Sequence, residues 1–258
     1  MSNSVVLITG ASSGFGVEFA KIFAGKGKDL VLVARSGDKL ENLKKKLESK
    51  CGIKAYVFVQ DLSLEGSGQK VYDFVTEKGL HVETLINNAG FGDYGKFADS
   101  KLSKQLEMIN LNDRTLTELT HLFVKPMIDA GWGRILNVAS VASFEAGPMM
   151  SVYYASKAFV LSFTEALSCE LKDTGVTVTA LCPGPTNTGF TKLAEMPGSR
   201  FADMFRFTKP RDVARYGYKA LMKGQVIAIP GVLNKIGIVG VKLLPRSVVR
   251  NVVYRFQQ

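Results

Sequence analysis

Short apolar runs rich in β-branched residues recur along this chain, and a longer amphipathic stretch follows each. Val5-Val6-Leu7-Ile8, Leu30-Val31-Leu32-Val33 and Ala55-Tyr56-Val57-Phe58-Val59 carry apolar side chains on both sides of an extended backbone, as strands buried on two faces do. Thr84-Leu85-Ile86, Arg134 to Val138, Val176 to Leu181 and Val226 to Ile229 continue the series. Gly14 to Ala24, Lys39 to Ser49, Gly68 to Lys78, Asp113 to Ala130, Val152 to Asp173 and Pro210 to Met222 instead space apolar residues three and four apart, as helices do. The alternation predicts an α/β fold: a doubly wound parallel sheet of about seven strands with helices on both faces. No repeat, low-complexity tract or linker divides the chain, so residues 1–258 read as one domain.

Composition narrows the setting. With 46% hydrophobic residues the chain can bury a sizeable core, which argues against disorder. No apolar run reaches the roughly 18 residues that span a bilayer. Residues 1–9 lack the basic-then-apolar pattern of a secretory signal. Cys51, Cys169 and Cys182 are odd in number and far apart, which suits a reduced cytoplasmic protein. With only His81 and His121 and no C-x-x-C, no metal site is expected. The net charge of +10 is uneven: residues 1–189 hold 20 basic and 20 acidic residues, residues 190–258 hold 13 and 3. Whatever the basicity serves therefore belongs to the last segment.

In a sheet of this kind, ligands bind beyond the carboxyl ends of the strands. The first strand runs into Gly10-Ala11-Ser12-Ser13-Gly14-Phe15-Gly16 and then a helix. Gly10 permits a tight turn, Gly14 lets backbone approach a pyrophosphate, and Gly16 allows close helix–sheet packing, as in a Rossmann fold. The helix N-terminus offers N–H groups and a positive dipole end. A structural strand–helix turn is the bland alternative. The second strand ends at Val33-Ala34-Arg35, with no acidic residue from Leu30 to Gly37 to accept from a ribose 2′-hydroxyl. The fork of Arg35 suits a 2′-phosphate instead, against the plainer reading of a surface arginine. NADP(H) is thus expected over NAD(H).

Further residues stand after later strands: Asp61-Leu62, Asn87-Asn88-Ala89-Gly90, Asn110, Ser140, Tyr153-x-x-x-Lys157, and Pro183-Gly184 followed by Thr188. With the glycine turn, in this order and near this spacing, they make the chain resemble the short-chain dehydrogenase/reductase family, in its branch of about 250 residues. The resemblance covers Thr9 to about Gly231 and implies a carbonyl reductase or alcohol dehydrogenase using a nicotinamide dinucleotide. It implies that Asp61 and Leu62 contact adenine, that Asn88, Ala89 and Gly90 line the adenosine side, and that Pro183, Gly184 and Thr188 meet the carboxamide and pyrophosphate. It makes Asn110, Ser140, Tyr153 and Lys157 the catalytic set, with Tyr153 and Lys157 also on the cofactor. Hydride passes between nicotinamide C4 and the substrate carbon, and Tyr153 gives or takes the proton.

Tyr153 and Lys157, four apart, share one helix face. A free phenol has a pKa of about 10; a neighbouring ammonium and a cationic nicotinamide should lower it. Tyr154 and Ser143 compete with Tyr153 and Ser140, but only the latter pair match the family's spacing. A non-catalytic NADPH-binding protein of the same fold is the alternative.

Substrate choice is expected in the loop 190–209, where Phe190, Leu193, Met196, Phe201, Met204, Phe205 and Phe207 stand among Lys192, Arg200, Arg206 and Lys209. That lining suits a lipophilic small-molecule carbonyl or alcohol, and a lipophilic anion is the variant reading. A 3-ketoacyl chain, a ketosteroid, a retinoid-like aldehyde and a xenobiotic ketone stay open. Residues 231–258 form a basic amphipathic tail, with Pro245 dividing it. Val248, Val249, Val252, Val253 and Phe256 share one face, and Arg246 and Arg250 another. Packing on the domain, closing the pocket or meeting another subunit is the expectation; peripheral contact with an anionic membrane is the alternative. Nucleic acid is not expected, for want of a motif or a stacking platform. The resemblance implies a homodimer or homotetramer through helices near 113–130 and 151–173.

Overall fold

The computed structural model describes residues 3–186 and 208–257. Seven parallel strands form one sheet in the order β3-β2-β1-β4-β5-β6-β7. They are β1 (Ser4–Thr9), β2 (Asp29–Ala34), β3 (Ala55–Val59), β4 (His81–Asn87), β5 (Gly133–Val138), β6 (Val176–Leu181) and β7 (Ile227–Ala228). The helices are α1 (Gly14–Ala24), α2 (Gly37–Cys51), α3 (Ser67–Glu77), α4 (Leu102–Ile109), α5 (Thr115–Asp129), α6 (Ser151–Glu170), α7 (Pro210–Met222), α8 (Val232–Leu243) and α9 (Arg246–Gln257).

Alternate residues of the central strands serve opposite layers, since successive side chains of a strand point to opposite faces. Val6 and Ile8 of β1 with Leu30 and Leu32 of β2 meet Phe19, Phe23, Leu40, Val213 and Leu221 of α1, α2 and α7. Val5, Leu7, Val31 and Val33 meet Val71, Val75, Leu119, Phe123 and Met127 of α3 and α5. The chain therefore reads as apolar at every position of these strands.

Strand order reverses between β1 and β4. That is the switch point at which doubly wound sheets open a crevice for ligands. Thr9 and Asn87 end the two strands there.

Three elements differ from the sequence expectation. The edge strand β7 shrinks to Ile227–Ala228. Helix α4 was not foreseen: it buries Gln105 and Met108 and exposes Leu102, Leu106 and Ile109, the reverse of the usual pattern. The helix expected from Asp113 begins at Thr115, because Asn110–Arg114 form a π turn in which the Thr115 N–H donates to the Asn110 carbonyl. Such bulges widen a helix locally and recur at functional sites.

Candidate active site

The glycine turn is stitched to the end of β4. Thr9 Oγ1 accepts from Asn88 N at 2.9 Å and Ala89 N at 3.0 Å. Asn88 Nδ2 donates to the Thr9 and Gly10 carbonyls at 2.8 and 3.2 Å. Gly10 has φ +64°, and a Cβ there would lie 2.7 Å from Asn88 Nδ2. A Cβ on Gly16 would lie 2.3 Å from the Gly10 carbonyl oxygen, so the first turn of α1 sits directly on the turn before it. Gly14 has φ +52°. Ser13 makes no side-chain cap to α1, and the first turn holds no acidic residue. The helix end therefore meets an anion with uncapped N–H groups and a positive dipole end, and the residues present fit a pyrophosphate.

At the tip of β2, Arg35 is 70% exposed and its guanidinium lies 3.6 Å from Asp61. Burial pushes the Asp61 carboxyl up. The Ser63 hydroxyl and N–H, at 2.7 and 2.9 Å, and the Arg35 charge outweigh that and hold it below its ordinary value. Leu62 is buried beneath.

Ser140 follows β5 in extended conformation; its Oγ accepts from Ala142 N at 3.1 Å and shares a hydrogen bond with the Tyr153 side chain. Ser143 is committed elsewhere: it accepts from Ser140 N at 3.3 Å and donates to the Lys157 carbonyl at 2.7 Å. Tyr154 also turns away. Its hydroxyl accepts from Gln257 Nε2 at 2.9 Å, and its ring occupies the space where Gly147 has no Cβ. The two competing residue pairs are thus separated by geometry as well as by spacing.

Lys157 Nζ is buried and donates to the Val138 carbonyl at 2.8 Å, 5.9 Å from the Tyr153 ring centroid. Burial lowers its pKa to about 8, against the charge of Asp113. Burial pushes the Tyr153 phenol up to about 12, the hydrogen bond with Ser140 opposes it, and the lysine is turned to backbone instead. In the π turn, burial raises Asp113 to about 7 against the Lys157 charge, and its Oδ1 is buried with no hydrogen-bond partner.

Asn110 stands at the head of that turn and engages through its carbonyl. Asn112 was missed by the sequence reading. It is 1% exposed, grips Phe91 through N–H and C=O at 3.2 and 3.0 Å, and donates to Ser156 Oγ, which donates to the Tyr153 carbonyl. It thereby fixes the segment after Gly90 against the helix of Tyr153. A Cβ on Gly90 would lie 2.9 Å from Asn112 Oδ1 and 3.4 Å from Lys157 Nζ. Asn87 donates to Thr120 Oγ1 and to Asn137 Oδ1, and Asn137 donates to Thr164. A second asparagine two residues after Asn110 was the only available signal for Asn112.

Pro183 accepts from Val141 N at 3.0 Å, and Gly184 lies against Asn234 of α8. Thr188 and residues 190–207 of the substrate-side loop lie outside the described residues.

Residues 4–196 match the family model for short chain dehydrogenase. The chain belongs to the short-chain dehydrogenase family. It is 38% identical over 212 residues to sulfoacetaldehyde reductase 2 of Chromohalobacter salexigens, covering 81% of this chain and 83% of that one. Among solved structures, a short-chain dehydrogenase from Sphingobium yanoikuyae in complex with NADPH superposes with a TM-score of 0.83 at 30% identity, covering 93% of each chain. A short-chain dehydrogenase/reductase from Burkholderia phymatum in complex with NAD gives 0.81 at 27% identity, covering 94% of this chain and 92% of that one. As a member of this family the protein is an oxidoreductase that interconverts carbonyl and alcohol groups with a nicotinamide dinucleotide.

Proposed function

We propose that this short-chain dehydrogenase is NADP(H)-dependent and acts on a lipophilic carbonyl or alcohol, with Tyr153 as its general acid and base. The hydrogen bond between Tyr153 and Ser140, beside the buried Lys157, carries the reading. Bound nicotinamide supplies or accepts the hydride. Ser140 orients the substrate oxygen and stabilises charge developing on it. A phenol held near 12 stays protonated at neutral pH, so Tyr153 is set to give a proton to that oxygen as a carbonyl is reduced. Lys157 holds positive charge below its pKa of about 8 and steadies the phenolate left behind. Asn110, at the opened turn, supports the route by which the lysine regains a proton.

The dinucleotide would lie on Gly10, Ser12, Ser13, Gly14, Phe15 and Gly16, along Asp61, Leu62, Asn88, Ala89 and Gly90, and against Pro183, Gly184 and Thr188. Arg35 supports the 2′-phosphate: it is mostly exposed, and among the described residues Asp61 engages it loosely, at 3.6 Å. Residues 1–258 act as one unit with 190–209 as the substrate-side loop. The enzyme is cytoplasmic and a homodimer or homotetramer, for which the exposed Leu106, Ile109 and Phe159 offer an apolar face.

The test follows NADPH oxidation by wild type and Tyr153→Phe across ketoacyl thioesters, ketosteroids, small anionic aldehydes and sugars. The expected outcome is reduction of lipophilic carbonyls, lost in the variant while NADPH still binds. Wild-type binding of NADPH without turnover of any carbonyl would make the protein a cofactor-sensing binder. Reduction of hydrophilic sugars alone would overturn the lipophilic substrate.

A further inference from the structure

The tail does not bury its apolar surface as the sequence led us to expect. Helix α9 buries Val249, Val253 and Gln257 on the domain, and α8 buries only Ile238. Val232, Ile236, Val239 and Leu243 follow helical spacing along the outer side of α8, with Leu233 and Leu244 beside them. Val232, Leu233, Ile236 and Leu243 are 71, 77, 62 and 80% exposed. Val248, Val252 and Phe256 are also exposed, on α9. A contiguous stripe of this kind marks a binding surface, whereas scattered exposed apolar residues are ordinary.

Charge decides what covers it. Lys235 and Lys242 stand along one side of the α8 stripe, over the Tyr216 and Phe144 rings, and Arg246, Arg250 and Arg255 lie on α9. No acidic residue follows Asp212 anywhere in the chain, while eight basic residues do. A second copy meeting this face symmetrically would bring like charges together, which disfavours that pairing. An anionic lipid surface complements both features at once: it takes up the apolar stripe and attracts the cations. Helix α8 has 12 residues, and no described helix is long and apolar enough to cross a membrane. It can only lie in the plane of the interface.

We propose that α8 and α9 form a peripheral docking surface for anionic membrane, with the Val232–Ile236–Val239–Leu243 stripe set among the acyl chains. The surface rests on the candidate site. Asn234 packs on Gly184, Lys242 lies 5.5 Å over the Phe144 ring, and Gln257 holds Tyr154. Docking therefore brings the site to the lipid surface, where a lipophilic substrate concentrates. That last step rests on the proposed substrate class; the docking does not.

Flotation of the full chain with phosphatidylcholine vesicles, alone or with about 30 mol% phosphatidylglycerol, tests it without any turnover. Wild type is expected to float with the anionic vesicles, and about tenfold less with the neutral ones or at about 0.5 M salt. Leu233→Asp/Leu243→Asp and Arg246→Glu/Arg250→Glu should each weaken partitioning about tenfold or more, with unchanged melting temperature. The salt series on wild type keeps the test independent of how the variants fold. Failure of wild type to float, or flotation of both variants equal to that of wild type, overturns the proposal. So does a fall in solution mass in the leucine variant with flotation unchanged, which would assign the face to a second copy.

Discussion

Gln257 Nε2 donates to the Tyr154 hydroxyl at 2.9 Å, and the Tyr94 hydroxyl donates to the Gln257 carbonyl. The last turn of α9 is thus fastened to the residue beside Tyr153, whose ring lies 6.0 Å from that of Tyr154 between centroids. A net hydrogen bond of this sort contributes about 1 kcal/mol. Tyr154→Phe should therefore lower the melting temperature by roughly 2–4 °C in a chain of this size. It should leave kcat within about threefold of wild type, whereas Tyr153→Phe removes turnover. Loss of turnover in both variants would mean the two tyrosines are misassigned.

Arg35→Asp should reverse the cofactor preference. It removes the fork suited to a 2′-phosphate and adds a carboxylate that accepts from a 2′-hydroxyl. We expect kcat/KM for NADPH to fall about 100-fold and that for NADH to rise, since a charged hydrogen bond becomes a repulsion. An unchanged ratio of the two constants would remove Arg35 from the site.

Gly16→Ala should both destabilise the protein and abolish dinucleotide binding. The added carbon meets the Gly10 carbonyl oxygen at 2.3 Å, a backbone atom that cannot step aside. Overpacking of this type costs about 1–3 kcal/mol. Calorimetric titration with NADPH and a thermal melt check it, and wild-type values in both would show that the turn relaxes freely.

Asp113 and Lys157 give stability opposite slopes with pH. Asp113 rises from 3.8 to about 7 on folding, chiefly by burial, so the native state binds the extra proton. Its contribution is full below 3.8 and is lost as pH rises through about 7. Lys157 falls from 10.5 to about 8, again by burial, so stability rises with pH across that window. Asp113→Asn should therefore gain on wild type in melting temperature as pH is raised from about 4 to about 8. Because the Asp113 charge raises Lys157, the same variant should move the lysine-dependent limb of kcat to lower pH. A melting difference that is flat with pH would show that Asp113 is solvated like a surface carboxylate.

The strands and most of the helices were legible because a two-faced strand and an amphipathic helix leave different periods in the sequence. The strands expected at Ala55–Val59 and Val176–Leu181, and the helices at Gly14–Ala24 and Pro210–Met222, stand at the expected residues. Helix α4 was not legible, since it exposes its leucines and buries a glutamine that bonds Asp93 at 2.7 Å. The order and spacing of Gly10, Ser140, Tyr153 and Lys157 placed the candidate site, because a strand end and the helix after it lie close in the chain.

By itself, then, the sequence determined the parallel sheet, the family and the positions where chemistry could sit, all of which follow from local period and spacing. Tertiary structure alone decided the rest. It set the Tyr153 phenol above its free value by burying it, and turned Lys157 to the Val138 carbonyl. It brought Asn112 against Phe91 from 21 residues away and Gln257 against Tyr154 from 103. It also left the α8 stripe uncovered by the described residues. Burial and long-range hydrogen bonds depend on which segments meet in space, and no local pattern of residues encodes that.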